Sequence, residues 1–199
     1  MKYAVFMVLV AFVVFGYVSS NALVEKEIVS SVEVELPALR PLSKPEIDIN
    51  QMHCLATNIY HEARGESFAG KVAVGNVTLN RVNHPRYPNT ICDVVYQANL
   101  RENWKGNLVP IRHKCQFSWY CDGKSDDIVL KTESGIIIKP HMIAWEQSLD
   151  IASKIIQEEL ADITHGSTHY YNRDLADPHW ANHLARVVDI DNHSFHKEL

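Results

Sequence analysis

Apolar residues in the first half of the folded region recur at helical spacing. Leu55, Ile59 and Ala63 lie four residues apart and predict a first helix that ends near Gly65. Residues 69–82 form a second helical pattern, with few charges and many small or β-branched apolar side chains. A helix that is apolar on all sides is usually buried, so we expect this second helix to be central.

Two further helices are predicted downstream. Thr90 and Asp93 form a capping-box pattern for a short helix that reaches Gln97. Residues 99–140 are rich in loop-forming residues and show no clear period. An amphipathic helix follows, marked by Trp145, Leu149, Ala152, Ile156 and Leu160.

The pattern changes after Gly166. Residues 168–171 and 185–190 are typical of strands, and residues 193–197 fit the return strand of a hairpin. Helices followed by strands indicate an α+β domain with a small antiparallel sheet rather than alternating βαβ units.

The N-terminus has the pattern of an export segment. Lys2 precedes an apolar run at residues 3–18, and Ser20 and Ala22 provide a small-x-small cleavage pattern. Residues 1–22 therefore predict a secretory signal peptide. The alternative is an uncleaved membrane tether through residues 3–18, although 16 residues are slightly fewer than the roughly 20 that span a bilayer. Both alternatives predict an exported protein of the periplasm or cell envelope.

Composition divides the remainder into a linker and a folded domain. Residues 23–50 contain three prolines and several glutamates, which favours an extended linker. Alternating side chains at residues 32–36 suggest a short strand within it. Residues 51–199 form the predicted folded domain, and any catalytic site is expected within it. The formal net charge is −5 and basic clusters are absent, so we do not expect a nucleic-acid partner.

The four cysteines predict two disulfides in an oxidising compartment. Three pairings are open, and we favour Cys115–Cys121, a short loop, with Cys54–Cys92 joining two helices. A four-thiolate zinc site is the alternative, but the paired C-x-x-C spacing is missing.

The densest chemical cluster is Y-H-E-A-R-G-E at residues 60–66. Glu62 and Glu66 are four residues apart and would share one helix face, where like charges raise one pKa. A carboxylic acid that stays protonated near neutral pH can protonate a glycosidic oxygen. The alternative is an inert helix-end ion pair with Arg64. A metalloprotease H-E-x-x-H motif is excluded, because Gly65 occupies the second histidine position.

Aromatic and histidine residues give weaker signals. Aromatic rings near Gln116 and after His169 fit a sugar-binding cleft, although we expect about half of them to be core. His179 and His183 have the spacing of two zinc ligands on a helix, but we favour ordinary histidines over a metal site. No G-x-S-x-G elbow is present, which argues against a serine triad.

These motifs closely resemble the SleB-type cell-wall hydrolase family, which includes the spore-cortex-lytic enzymes. The E-A-R-G-E block and the N-R-V that follows it at residues 80–82 are the specific part. The likeness covers nearly all of residues 52–197, through the segments 54–66, 70–77, 79–82, 88–96, 115–118, 121–123, 144–145, 166–171 and 192–195.

The resemblance implies a compact α+β domain related to the lysozyme-like lytic transglycosylases, acting on peptidoglycan without a metal or other cofactor. The first Glu of E-A-R-G-E, here Glu62, would be the catalytic acid/base. The cysteines resemble those of exported members from double-membraned bacteria and their phages. His61 stands where spore members usually carry Gly, so substrate preference is expected to differ. Predicted substrate-binding residues, supported more by family pattern than by physics, are Glu66 (more a structural than a binding residue), Asn80, Gln116, Thr168, His169 and Tyr171.

Two other functions remain open at this stage. One is a zinc amidase that cuts the bond between muramic acid and alanine with the late histidines. The other is a wall-binding module without turnover.

Overall fold

Four α-helices and five β-strands make up residues 46–199, the part of the chain that the structure, a computed structural model, describes. The predicted signal or anchor at residues 1–22, the strand at 32–36 and most of the linker lie outside the described residues. The elements in chain order are α1 (Ile49–Ala63), α2 (Phe68–Val82), α3 (Ile91–Val95), β1 (Ala98–Glu102), β2 (Leu108–Cys115), a 3-10 helix (Ser118–Cys121), α4 (Lys139–Ile156), β3 (His169–Asn172), a 3-10 helix (His179–His183), β4 (Ala185–Ile190) and β5 (His193–Lys197).

Helix α2 is central, as its composition predicted. Residues 70–78 of this helix are all buried, and α1 and α4 pack against it. Gly75 permits this packing, because an added Cβ would lie only 2.5 Å from the Ile155 side chain of α4. Such close approach of helices removes apolar surface from water and leaves few voids.

Side-chain caps set where the helices begin. Asp48 accepts a hydrogen bond from the Asn50 backbone N–H at 2.8 Å, so α1 begins two residues before the predicted domain boundary. The Thr90 hydroxyl accepts from the Asp93 backbone N–H at 3.1 Å, which confirms the predicted cap of α3. These bonds satisfy backbone donors that have no partner within the helix.

The C-terminal strands form an antiparallel sheet of order β3-β5-β4. The predicted bounds of β4 and β5 are confirmed. Phe195 in the central strand is fully buried against Ala73 and Val77 of α2. Helix α2 therefore packs on one face of the sheet. Helices first and an antiparallel sheet last confirm the α+β prediction.

Two parts of the sequence prediction were wrong. Residues 99–140 contain the hairpin β1–β2, which was missed because its strands pair only with each other and expose most of their side chains, without clear alternation. The amphipathic helix ends at Ile156 rather than near Leu160, because Glu158 adopts a left-handed backbone with φ 58°.

Two disulfides link neighbouring elements of the fold. Cys54–Cys92 connects α1 with α3, and Cys115–Cys121 connects the end of β2 with the following 3-10 helix. This is the pairing that we favoured from the sequence. Within residues 46–199, no helix has the length and apolar character to cross a membrane.

Candidate active site

Glu62 lies in the last turn of α1 and borders a cleft of about 400 Å³. The residues around the cleft come from the end of α1, the 3-10 helix at 118–121, the loop that follows it and the start of α4. They are Tyr60, His61, Glu62, Arg64, Ser118, Trp119, Asp122, Lys124, Ser125, Asp126, Asp127, Val129 and His141.

The Tyr170 hydroxyl donates a hydrogen bond to Oε2 of Glu62 at 2.8 Å. Tyr170 lies in β3, and its ring packs against Phe195 and His193 of the neighbouring strand, with centroids 5.6 and 5.4 Å away. The core of the sheet thereby fixes the position of this hydroxyl. Because the bond occupies Oε2, the other carboxyl oxygen is free to carry a proton.

Burial raises the pKa of Glu62. The hydrogen bond from Tyr170 and the positive charge of Arg81 oppose this rise, because both stabilise the carboxylate. The cause differs from the predicted repulsion by Glu66. Helix α1 ends at Ala63, so Glu66 does not continue the helix face of Glu62.

Glu66 belongs to the connection between α1 and α2. Its backbone carbonyl accepts a hydrogen bond from Nζ of Lys71 at 2.7 Å, and its charge acts on His193. It does not border the cleft that contains Glu62. These contacts agree with a structural part for Glu66 in the connection between the two helices.

Arg81 of α2 is a buried cation whose charge acts on Glu62. Its Nε donates to the Thr168 carbonyl at 2.8 Å, and its guanidinium lies over the rings of Phe117 and Tyr87, 4.8 and 5.5 Å from their centroids. Burial lowers the pKa of Arg81, and the nearby carboxylate opposes that change. The Nη1 atom is buried without a hydrogen-bond partner.

A chain of buried hydrogen bonds holds one wall of the cleft. The Trp119 indole donates to the Asn58 side-chain oxygen at 2.9 Å, and the Asn58 amide donates to the Thr78 hydroxyl at 3.1 Å. His61 stacks on Trp119 with ring centroids 4.5 Å apart, and its Nε2 lies 3.1 Å from the Asp126 carbonyl oxygen. Burial lowers the pKa of His61, so this ring is neutral at neutral pH.

Three carboxylates on the loop after the 3-10 helix border the same cleft: Asp122, Asp126 and Asp127. Burial raises the pKa of Asp126, whereas hydrogen bonds from Lys124 lower the pKa of Asp122. The sequence analysis did not select these residues, because nothing in their spacing places them near Glu62.

Three predicted substrate-binding residues lie in or beside β3. Thr168 is buried and contacts the site through its carbonyl bond to Arg81. His169 and Tyr171 contact Trp180, with ring centroids 5.3 and 5.7 Å away. Successive side chains of a strand point to opposite faces, so these two lie on the other face from Tyr170.

The other two predicted residues lie apart from Glu62. The Asn80 amide donates to Asp162, Thr164 and Ser167, tying α2 to the loop before β3. Gln116 is exposed and borders a separate depression of about 250 Å³.

His179 and His183 lie in an exposed 3-10 helix with ring centroids 5.2 Å apart. Across residues 46–199, no group of three or more His, Cys, Asp or Glu side chains is arranged to hold a metal ion. A catalytic zinc site usually needs three protein ligands, so this pair alone gives the amidase alternative no support.

Sequence reasoning missed Tyr170, which donates a hydrogen bond to Glu62, and Arg81, whose charge acts on Glu62. Both belong to segments that carry the family resemblance, the H-Y-Y motif and the N-R-V motif. The burial of Arg81 would have indicated a partner acid, but this burial is known only from the fold.

Known proteins share this domain. Spore cortex-lytic enzymes of Bacillus subtilis (strain 168) and Halalkalibacterium halodurans are each 27% identical over 146 residues, or 73% of this chain. The chain spans 37% and 34% of their lengths. The solved catalytic domain of the Bacillus cereus SleB protein matches with 25% identity and a TM-score of 0.50, covering 77% of this chain and 94% of that chain.

A second solved structure gives the same result. It is the catalytic domain of the germination-specific lytic transglycosylase SleB from Bacillus anthracis, with 25% identity and a TM-score of 0.51, covering 77% of this chain and 98% of that chain. The model of the Cell Wall Hydrolase family matches residues 65–196, beginning three residues after Glu62. The chain therefore belongs to the Cell Wall Hydrolase family.

Proposed function

We propose that the protein cleaves the glycan strands of peptidoglycan between N-acetylmuramic acid and N-acetylglucosamine, as a lytic transglycosylase with Glu62 as its acid/base. Family membership and the likeness to catalytic domains of cortex-lytic enzymes support a wall glycan as substrate. Action on a cell wall takes place outside the cytoplasm. An envelope location, with or without a membrane tether through residues 3–18, belongs to this proposal.

One observation carries the mechanism: Glu62 is a carboxyl group in a cleft, with a pKa raised by burial and one oxygen held by Tyr170. A carboxyl of this kind stays protonated closer to neutral pH than an exposed glutamate does. It can donate its proton to the glycosidic oxygen while the bond to C1 of muramic acid breaks.

The second step returns the proton to Glu62. The carboxylate removes the proton of the C6 hydroxyl of muramic acid, and the C6 oxygen bonds to C1 as the 1,6-anhydro ring closes. Tyr170 and Arg81 stabilise the carboxylate between the two steps. One carboxyl group is sufficient, because the substrate supplies its own nucleophile.

Hydrolysis is a second candidate, favoured by the carboxylates of Asp122, Asp126 and Asp127 in the same cleft. Of these, Asp126 is the one whose pKa burial raises. A glycosidase that uses water ordinarily needs a second carboxylate across the scissile bond. The products then end in reducing sugars rather than anhydro sugars.

Mass spectrometry of fragments released from purified peptidoglycan tests both candidates. The full chain is compared with Glu62→Gln, and Glu66→Gln is the matched control in the same segment. We expect 1,6-anhydromuramic ends from the wild type and from Glu66→Gln. Glu62→Gln should release at least about 100-fold less, because general acid–base catalysis contributes that much or more.

The other outcomes separate the alternatives. Reducing ends that disappear in Asp126→Asn would replace transglycosylation by hydrolysis. Free stem peptides with intact glycan, lost on adding a chelator, would support an amidase instead. Retention on the wall by the wild type and by Glu62→Gln, with no fragments from either protein, would leave only a binding module.

A further inference from the structure

The hairpin at residues 98–115, here called the basic hairpin, differs from the rest of the protein in charge. It contains Arg101, Lys105, Arg112 and Lys114 against one acid, Glu102, whereas the whole chain has a net charge of −5. These bases are spread along the sequence, so the sequence analysis found no basic cluster here and was wrong on this point. Pairing of β1 with β2 places them on one element, where the guanidinium of Arg112 lies beside Gly123 and acts on Asp122.

The basic hairpin also exposes large apolar side chains. Leu100 is 50% exposed, Trp104 is 88% exposed and Leu108 is 69% exposed. Leu100 pairs with Pro110 and Leu108 with Glu102, so the two leucines share one face of the ribbon with Glu102. Arg101 pairs with Val109 and lies on the other face. Exposed single apolar residues are common, but a tryptophan and two leucines on one small element form a patch that indicates a contact surface.

The turn at the tip has a defined conformation. The Asn103 side chain accepts hydrogen bonds from the backbone of Lys105 at 2.9 Å and of Asn107 at 3.0 Å, and Gly106 adopts φ 80°. Nζ of Lys105 lies 4.7 Å from the centroid of the Trp104 ring. An aromatic ring and a cation are thus presented side by side at the end of the ribbon.

We propose that the basic hairpin binds the surface of an anionic lipid bilayer. Tryptophan is favoured at the boundary between lipid headgroups and acyl chains, and leucine enters the acyl region. Lysine and arginine at the edge of such a surface pair with phosphate, while their aliphatic stems stay in the apolar layer. The charge of the hairpin is complementary to such a surface, whereas the net charge of the chain is not.

The side-chain chemistry favours lipid over a wall glycan as the partner. A sugar ring is recognised by flat aromatic faces together with amide or carboxylate groups that bind its hydroxyls. The hairpin instead combines one tryptophan with leucines and cations. Leucine has no flat face for a sugar, but it gains free energy from lipid burial.

Membrane binding through the hairpin would position the cleft. The Cys115–Cys121 disulfide joins the end of β2 to the 3-10 helix that carries Trp119, which borders the cleft. Few residues separate the hairpin from the wall of the site. The protein would therefore act on glycan that lies close to the membrane surface.

Quenching of Trp104 fluorescence by brominated lipids tests the proposal on the full chain. The Trp104 signal is the difference between the wild type and Trp104→Phe, so binding by other segments does not contribute. We expect quenching in vesicles of phosphatidylcholine with 30% phosphatidylglycerol. The double variant Arg101→Gln/Lys105→Gln should lose it and bind roughly 25-fold less tightly, about fivefold for each base.

The matched control is Lys131→Gln/Lys139→Gln, which removes the same charge from exposed positions outside the hairpin. Its quenching should stay near that of the wild type. Unquenched Trp104 in a chain that sediments with the vesicles would overturn the proposal. The proposal would also be overturned if the hairpin variant still bound the vesicles but no longer bound isolated wall sacculi. Circular dichroism checks folding, and an enzymatically inactive chain would still give the binding result.

Discussion

The two faces of strand β3 have different surroundings, although their residues are neighbours in the sequence. Tyr170 faces the core, where its ring packs on Phe195 and its hydroxyl binds Glu62. His169 and Tyr171 face Trp180 on the other side. A single strand thus supplies one contact to the Glu62 carboxyl and a separate aromatic layer. The family motif H-Y-Y therefore has side chains on both faces, and substitutions at single positions can test each face separately.

The largest difference is expected between Tyr170→Phe and Tyr171→Phe. Loss of the Tyr170 hydroxyl removes a bond to the Glu62 carboxylate, so kcat should fall about 10- to 100-fold. The pKa of Glu62 should rise further, which moves the basic limb of the pH–rate profile upward. If Tyr171 binds glycan, as the sequence predicted, Tyr171→Phe should instead raise KM at nearly unchanged kcat.

Steady-state kinetics on soluble peptidoglycan fragments from pH 4 to 9 would check both variants. Equal losses of kcat would remove the distinction between the faces. A Tyr170→Phe protein with wild-type kcat would show that its hydroxyl does not act on Glu62.

Replacement of Arg81 should have an effect of comparable size, but on folding stability. Arg81→Met leaves the buried Thr168 carbonyl without its donor and removes the cation above Phe117. We expect a loss of about 2–3 kcal/mol in the free energy of unfolding, measured by urea denaturation. Arg81→Lys keeps the charge but lacks the planar fork, so part of the loss should remain. Wild-type stability in both variants would contradict the assigned contacts.

The smallest effect concerns His169 on the outer face. Burial lowers its pKa to about 4, below the ordinary 6.5. The folded state therefore binds this proton less readily than the unfolded state. The resulting stability is present above pH 6.5 and is lost as the pH falls from 6.5 to about 4. Partial exposure limits its size.

His169→Gln should flatten the fall in Tm between pH 6.5 and 4. The exposed His165 gives the control His165→Gln, which should follow the wild-type curve. The difference from the wild type reports on His169 together with its electrostatic coupling to His196 and His84. Parallel curves for the wild type and His169→Gln would exclude the predicted shift.

Local patterns predicted most of the fold. Helical periodicity located α1 and α2, and strand patterns located β4 and β5 with their observed bounds. The hairpin β1–β2 was not predicted, because a two-stranded ribbon exposed on both faces has no buried side that would require apolar and polar residues to alternate. The end of α4 was not predicted, because the residue with positive φ that terminates the helix is Glu158 rather than a glycine.

The candidate site was less predictable. The family resemblance selected Glu62, but the cause of its raised pKa was expected from Glu66, four residues away, and is burial instead. That error arose from extending the helix by one turn. Tyr170 and the loop with Asp126 reach Glu62 only through the packing of the sheet and of the 3-10 helix, which no local period encodes.

The distance along the chain between Glu62 and Tyr170 has a consequence for biosynthesis. The carboxyl group leaves the ribosome 108 positions before the hydroxyl that binds it. The strand that buries Tyr170 is made later still, and so is Asp191, which caps α2 through Ser67 across 124 positions. A growing chain, or one truncated before β5, has the Glu62 carboxyl but lacks the strand that positions and buries Tyr170. Assembly of the site thus waits for the last strand to be made.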